Sequence, residues 1–247
     1  MPLAELGISE QIYEKHPQAS VELCEAALGQ VQKHMEVPKH DLEWRIVQNP
    51  KVQMVISCTV GKDEYGWGRP FNPQISQIWA ALSDIAQIHS PLRLTRLAFE
   101  PWQNTAFFMR GQPVIDNPQI SDQQRILENN MAVFLSLFVS PDHKMTDPEF
   151  TDHTHGILGT VSNILSLPIT TSIESRLINT LAAQTDYSLE IDLKPGETKN
   201  IFSTDHLEEL ARSLEEQLGK TPVTSLGSAS VWVRQGSPII YHNFISA

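Results

Sequence analysis

Residues that can bind a metal ion are concentrated in one short stretch of the 247-residue chain, between positions 142 and 155. Neutral imidazole and carboxylate groups are ligands that zinc and iron accept in proteins. A bound metal would acidify a coordinated water molecule for hydrolysis. The stretch holds three of the nine histidines and four carboxylates: Asp142, His143, Asp147, Glu149, Asp152, His153 and His155. The ligands that we predict for such a metal are His143, Asp152, His153 and His155.

The local conformation of this stretch decides whether its histidines can share one ion. Asp147 before Pro148 is typical of a helix start. Two residues that are two positions apart on a helix project about 200° from each other. A loop or strand would let His153 and His155 reach one metal, whereas in a helix the acidic residues would stabilise its positive N-terminal end. Both interpretations stay open at this stage.

A second candidate site is the turn-rich loop at positions 61–73, with the central sequence YGWGRPF. Glycines on both sides of its tryptophan allow backbone conformations that are closed to other residues. An arginine among three aromatic residues could stack on a planar group or hold an anionic one. The alternative is that the loop folds its aromatic side chains back onto a sheet. The partner-binding residues that we predict here are Tyr65, Trp67, Arg69 and Phe71.

The composition indicates a folded protein with an acidic surface. The hydrophobic fraction of 40% and the charged fraction of 19% are typical of globular proteins. The 18 basic residues against 29 acidic ones give a formal charge of −11. This balance argues against a nucleic-acid-binding surface, which requires clustered lysine and arginine. The second half, with 8 basic and 16 acidic residues after position 120, could attract a basic partner.

Features that direct a chain to a membrane or out of the cell are not evident in the sequence. The first residues, MPLAE, lack the basic and apolar segments of a signal peptide. The longest uncharged stretch, 154–173, contains serine, threonine and asparagine and is interrupted by Pro168, which is unlike a membrane span. We therefore expect a cytoplasmic protein without a membrane partner. Cys24 and Cys58 are too few for a disulfide framework, and we expect both in the core.

Hydrophobic periodicity predicts helices and strand pairs in both halves of the chain. In the first half it predicts helices at about 20–36, 75–85 and 121–138 and strands at 42–47, 52–60, 92–99 and 105–110. In the second half it predicts helices at 147–164, 173–181 and 205–218, a strand at 187–193 and a hairpin at 230–244. The predicted order of the first half is therefore α-β-β-α-β-β-α.

These elements predict an α+β fold, with one or two antiparallel sheets and helices packed on them. The best candidate for a domain boundary is the polar segment 140–147, which gives subdomains 1–141 and 142–247. A single domain with one shared core is the alternative. In topology alone, the predicted order of the first half resembles the acidic chaperones of bacterial secretion systems. That resemblance implies a protein that binds effector segments on sheet and groove surfaces, usually as a dimer.

The sequence favours binding over catalysis. It contains none of the patterns GxGxxG, GxxxxGK[ST], GxSxG and HExxH. Our first hypothesis is a non-catalytic, acidic binding or adaptor protein, chaperone-like, that engages a protein partner without a cofactor. A homodimer is compatible with this hypothesis. The alternative is a metal-dependent hydrolase or oxygenase that uses residues 142–155 and a divalent ion such as zinc or iron.

Overall fold

The chain forms two compact units. The computed structural model describes residues 2–37, 39, 42–58, 73–101, 105–109, 112–116, 132–143, 145–167, 171–194, 202–219, 228–235 and 239–245. Unit 1 consists of residues 1–119 together with 180–184, and unit 2 consists of residues 120–179 together with 185–247. The predicted boundary after residue 141 lies inside unit 2. Both units combine helices with sheets, so the α+β class follows for the chain.

Unit 1 is a mixed sheet with two helices on one face. Its elements are β1 (Pro2–Ile8), α1 (Glu10–Lys15), α2 (Pro17–Met35), β2 (Glu43–Gln48), β3 (Gln53–Cys58), α3 (Pro73–Ile88), β4 (Arg96–Pro101), β5 (Thr105–Met109) and β6 (Gln112–Asp116). The strand order is residues 180–183, β2, β1, β3, β4, β5 and β6. The pairs β1–β2 and β3–β4 are parallel, and the others are antiparallel. Val31 of α2 and Leu82 of α3 share one core with Leu6 and Met54 of the sheet.

Unit 2 is built in the same way. Its elements are β7 (Ala132–Val139), α4 (Asp147–Leu165), β8 (Ser172–Ala183), β9 (Tyr187–Lys194), α5 (Thr204–Gly219), β10 (Ser228–Gln235) and β11 (Ile239–Ile245). The last residues of β8, from Thr180, belong to unit 1. The strand order is β8, β7, β9, β10 and β11, with the pairs β7–β8 and β9–β10 parallel. Val161 of α4 and Leu214 of α5 pack against Leu137 and Leu189 in one core.

The two units share one topology. Each unit begins with a strand, a 19-residue helix and a second strand that pairs parallel with the first. A third strand then pairs antiparallel with the other side of the first strand. A 16-residue helix and a hairpin follow. The register also agrees, because Leu6 pairs with Met54 in unit 1 and Leu137 pairs with Leu189 in unit 2. Both 19-residue helices are followed by a residue in the left-handed conformation, with φ of 54° and 44°. The fold of the chain is therefore internally duplicated, with the short helix α1 and the last strand β6 as additions in unit 1.

The predicted order and the predicted antiparallel sheets are only partly correct. The chain begins with a strand rather than a helix, and the sheets are mixed. β2 and β3 form close to where we predicted them, but they are not neighbours, since β1 lies between them. Helices α2 and α3 link parallel strands, which is the usual reason for parallel pairs. The predicted order α-β-β-α-β-β-α, on which the resemblance to secretion chaperones depends, is not the order observed.

Two predicted helices are strands in the structure. The described part of the predicted helix 121–138 is β7, and the predicted helix 173–181 lies within β8. β7 lies between β8 and β9 and is buried almost throughout, so its apolar residues are nearly continuous instead of alternating. Side chains four positions apart, such as Ile173 and Leu177, share one face of a helix and also one face of a strand. Their spacing alone could not separate the two conformations.

The first strand was not predicted because its burial hides the alternation of a half-exposed strand. β1 lies between β2 and β3, and six of its seven residues are buried. Gly7 lies where the chain passes very close, because a Cβ atom there would meet the Cβ and Nδ2 atoms of Asn49 at 3.0 Å. A glycine in a strand weakens a sequence-based prediction, although it often marks such a close approach.

Candidate functional site

The two sites predicted from the sequence have different outcomes. The aromatic loop with Tyr65, Trp67, Arg69 and Phe71 lies outside the described residues, so its partner-binding role stays a prediction from the sequence. The predicted metal ligands are all described, and the structure does not bring the four together as a group. Among the described residues, no set of three or more His, Cys, Asp and Glu side chains is arranged to hold a metal ion.

The helical conformation of α4 separates three of the predicted ligands. Asp152, His153 and His155 all lie within this helix, so His153 and His155 project in different directions. His153 is partly buried, which lowers the pKa of its imidazole because the charged form is desolvated. Asp152 and His155 are exposed. His143 precedes the helix, in a single 3₁₀ turn that spans residues 141–143.

His143 contacts a carboxylate that the sequence analysis did not select. Its Nδ1 atom lies 3.3 Å from Oδ1 of Asp186 and 3.2 Å from Oγ of Ser140. The side chains of His143 and Asp186 are both about one-third exposed, at 33% and 30%. The ring of His143 also lies 5.5 Å from that of Tyr187, between centroids. We call these four residues the His143 corner.

Asp186 is held in place by backbone and side-chain hydrogen bonds from two other segments. The backbone N–H of Ser228 donates to Oδ2 of Asp186 over 2.7 Å, and the backbone N–H of Asp186 donates to the carbonyl of Ser228 over 3.0 Å. The backbone N–H of Ser140 donates to the carbonyl of Asp186 over 2.9 Å. Burial raises the pKa of the neighbouring Tyr187, and the charges of Asp186 and Glu149 raise it further. The carboxylate is therefore fixed before any ligand arrives.

The His143 corner contains the residue types of a hydrolytic triad but not its arrangement. Serine, histidine and aspartate are the residue types of a hydrolytic triad, but both oxygen contacts here fall on Nδ1 of His143. A triad requires the serine on Nε2. When Nδ1 donates to Asp186, the other ring nitrogen is left as a proton acceptor or metal ligand, as in other carboxylate–histidine pairs. The sequence could not reveal this contact, because only the β7–β9 pairing brings Asp186 to His143.

A pair of arginines marks equivalent positions in the two units. Nε of Arg45 donates to Oε2 of Glu5 over 2.7 Å, and Nε of Arg176 donates to Oγ of Ser136 over 2.8 Å. In each case the partner is the cross-strand neighbour of the arginine on a parallel strand. Arg45 also forms an ion pair with Glu5 over 2.6 Å, and its side chain is only 4% exposed. These contacts lie on the sheet face that points away from the helices, because neighbouring strand residues alternate between faces.

The strand sequences around the two arginines also correspond. Residues 43–47 read EWRIV, and residues 174–178 read ESRLI. Glutamate, arginine and two aliphatic residues therefore recur in the same order. Five residues are too few to stand out along a chain of 247, and only the matching register of β2 and β8 identifies them as a repeat.

The helical layer of unit 2 is strongly acidic. Helices α4 and α5 together contain eight acidic residues and one arginine, whereas α1, α2 and α3 contain five acidic residues and two lysines. The two helices contact each other through Oγ1 of Thr160, which lies 2.5 Å from Oε1 of Gln217. Exposed acidic side chains on the two helices are Asp147, Glu149, Asp152, Asp205, Glu208, Glu209 and Glu216. We call this set the acidic helical surface.

Comparisons with known proteins leave the sites to be judged on their own chemistry. No protein-family model, no curated protein and no solved structure matches the chain. Within the part of the chain that the structure describes, no helix combines the length and apolar character that a membrane crossing requires.

Proposed function

We propose that the protein is a non-catalytic binding protein that holds a basic segment of a protein partner against its acidic helical surface. The proposal joins the adaptor role favoured by the sequence to the charge distribution of unit 2. Eight acidic residues and one arginine on two adjacent helices create a negative potential that attracts lysine and arginine side chains. The function would be chaperone-like in the sense that a charged partner segment is held without being chemically changed.

The placement of the acidic residues along α5 carries this proposal. Asp205 lies in the first turn, where a negative charge stabilises a helix. Glu215 and Glu216 lie near the other end, where a negative charge is unfavourable, and no basic residue occupies the last turn. The capping of α4 accounts for Glu149, whereas α5 has a single arginine for its five acidic residues. This excess of negative charge is available to a basic partner.

The expected affinity follows from the strength of exposed ion pairs. Each such pair contributes about 0–1 kcal/mol, whereas a dissociation constant of 1 μM corresponds to roughly 8 kcal/mol. The acidic helical surface has seven exposed acidic residues, so ion pairs alone would give an affinity weaker than micromolar, and tighter binding requires contacts with uncharged groups as well. Because the Debye length is about 8 Å at physiological ionic strength, binding should weaken strongly as salt is added.

The proposal is tested with a fluorescently labelled, lysine-rich peptide whose anisotropy is followed during titration with the full chain. Replacement of Glu208 and Glu209 by lysine should weaken binding at least about tenfold, since it removes two attractions and adds two repulsions. The matched control replaces Glu22 and Glu25 of α2 by lysine, because these residues are also exposed and the net charge changes equally. Equal losses in both variants, or no binding by the native chain at low salt, would contradict the proposal.

A hydrolase that uses His143 is the second candidate, and the contact of His143 with Asp186 favours it. The fixed carboxylate would orient the imidazole, whose Nε2 would bind a divalent metal or take a proton from water. The test combines elemental analysis of protein purified without chelator with hydrolysis of an ester panel by the native chain and by His143→Ala. Less than about a tenth of an equivalent of metal, together with no hydrolysis that depends on His143, would eliminate this candidate.

A further inference from the structure

Strand β11 presents an edge that lacks the usual protection against pairing. It lies at the end of the sheet of unit 2, and among the described strands it pairs with β10 alone. Its sequence is IIYHNFI, and no charged residue occurs from position 235 to 247 in a chain of net charge −11. Natural edge strands usually carry lysine, proline or a bulge, which prevents a further strand from pairing. β11 contains neither residue, and its pairing with β10 has no register shift.

The edge strand of unit 1 provides an internal comparison. β6 is the last strand in its sheet, with the sequence QPVID. Pro113 has no N–H to donate, and Asp116 would meet a like charge if two copies paired there. In topology β11 corresponds to β5, which β6 covers in unit 1. Unit 1 therefore ends in a strand that carries blocking residues, whereas the last described strand of unit 2 carries none.

We propose that β11 pairs with β11 of a second copy of this chain, antiparallel, about a two-fold axis at His242. The polarity of the strand reads the same in both directions, with two apolar, three polar and two apolar residues. In this register Ile239 meets Ile245, Ile240 meets Phe244, Tyr241 meets Asn243, and His242 meets its own copy. Each position therefore faces a residue of its own class, which is favourable for cross-strand pairs.

A second copy fits this edge better than a charged partner. An uncharged strand offers no electrostatic selection for a basic segment, which the acidic helical surface would attract instead. A two-fold interface is also self-complementary and closes after two copies, so it ends the exposed edge without forming a fibre. Because both copies carry a charge of −11, added salt should strengthen the dimer through reduced repulsion. Binding of a basic peptide should show the opposite salt dependence, so the failure of either proposal is distinguishable from the failure of the other.

The first test is sedimentation velocity of the full chain across a range of concentrations, with Asn243→Lys and Asn163→Lys as matched variants. Lysine at position 243 places a charge in the middle of the edge strand, so dimer affinity should fall at least about tenfold. Asn163 is exposed on α4, and the same substitution there should leave self-association unchanged. The proposal would be overturned if the native chain stays monomeric at about 100 μM, even if that monomer binds an extended peptide at this edge. It would also be overturned if the two variants associate equally.

A disulfide test checks the register. Residues that face each other in an antiparallel pair have Cα atoms roughly 4.5–5.5 Å apart, which is within disulfide range. His242→Cys should therefore cross-link two chains under mild oxidation. Ile239→Cys should not, because its two copies would lie about 20 Å apart. The native chain controls for Cys24 and Cys58. A dimer that persists while His242→Cys fails to cross-link would overturn the proposed pairing.

Discussion

Arg45 and Arg176 occupy equivalent positions in the two units but differ in burial and in the group that they bind. Each donates its Nε–H to the cross-strand neighbour that precedes it by 40 residues. In unit 1 the neighbour is the carboxylate of Glu5 and the arginine is buried, at 4% side-chain exposure. In unit 2 the neighbour is the hydroxyl of Ser136, and Arg176 is exposed. The geometry is retained while the energetics differ.

This difference predicts unequal costs for one substitution. Arg45→Met should lower the free energy of unfolding by about 2–4 kcal/mol, because it leaves the charge of Glu5 without its ion pair at a mostly buried position. Arg176→Met should cost only about 1 kcal/mol, since it removes one partly buried hydrogen bond to a neutral hydroxyl, and the arginine itself is exposed. Urea unfolding of both variants measures the two costs. Equal costs would show that burial of the pair is not what distinguishes the two units.

The N-terminus of α4 provides a pH-dependent prediction. Oε2 of Glu149 accepts hydrogen bonds from the backbone N–H and the hydroxyl of Thr146, over 2.8 and 2.7 Å, and these bonds lower the pKa of Glu149 below its usual 4.5. A carboxylate with a lowered pKa stabilises the folded state above its unfolded pKa, and this contribution is lost as the pH falls through the folded pKa.

We therefore expect Glu149→Gln to be less stable than the native chain above pH 4.5, with a difference that narrows as the pH is lowered. Urea midpoints measured between about pH 3 and 7 test this expectation. Glu25→Gln, at another exposed helical glutamate, is the matched control. A difference that does not change with pH would mean that the charge of Glu149 does not stabilise the cap.

At the scale of elements, the long helices were predictable and the buried central strands were not. Helices α2, α3, α4 and α5 repeat apolar residues every three or four positions, and all form close to where that period places them. Strand β1 has no alternation because both of its faces are buried. Strand β8 places apolar residues four apart, which fits a helix and a strand equally well. Only the pairing partners of these strands separate the two possibilities.

Two exposed glycines, in the equivalent helices α2 and α4, are positions where a substitution should stabilise the protein. Gly29 of α2 and Gly159 of α4 are exposed in helix interiors, and a Cβ atom at either position would meet nothing within 4 Å. Replacement of either by alanine should raise the free energy of unfolding by about 0.5–1 kcal/mol. Gly156→Ala is the contrasting variant, because its Cβ would displace the amide of Gln217. Thermal unfolding should therefore show a smaller gain for Gly156→Ala, and an equal gain would contradict this explanation.

At the scale of the molecule, one unit is completed by a segment from the other half of the sequence. Residues 180–183 pair antiparallel with β2 and are counted with unit 1. A cut after residue 119 therefore leaves β2 without one of its neighbours. The edge of β2 would then be unprotected, and an unprotected strand edge promotes association. A fragment that ends at residue 119 is therefore not a complete unit 1.

We expect residues 1–119, expressed alone, to aggregate more readily and to unfold at lower urea concentration than the same fragment followed by a flexible linker and residues 179–185. The reason is that the added segment restores the pairing on β2. Light scattering and urea unfolding of the two fragments measure the effect. Identical behaviour would show that the three paired residues contribute little to unit 1.

As with the elements, some features of the candidate sites were predictable from the sequence and others depend on strand pairing. The acidity of the second half was visible in the sequence, because net charge does not depend on the fold. The sequence also placed Cys24 in the core, where the structure finds it fully buried and its thiol pKa raised by desolvation. The contact of His143 with Asp186 was not visible in the sequence, because these residues come together only through the β7–β9 pair. Three of the four metal ligands that were predicted from sequence proximity lie on α4, which directs His153 and His155 apart, and His143 lies in the turn before it.

The sequence by itself determined the α+β class, the main helices and the acidity of the second half, since these follow from local periodicity and composition. The tertiary structure decided which strands are neighbours, and with that the duplication of the fold, the matched arginines and the His143 corner. Strand pairing joins residues that are far apart in the chain, so its energy is not encoded in any local window. Residues 180–183 illustrate the point, because they complete a sheet whose other strands all lie before residue 117.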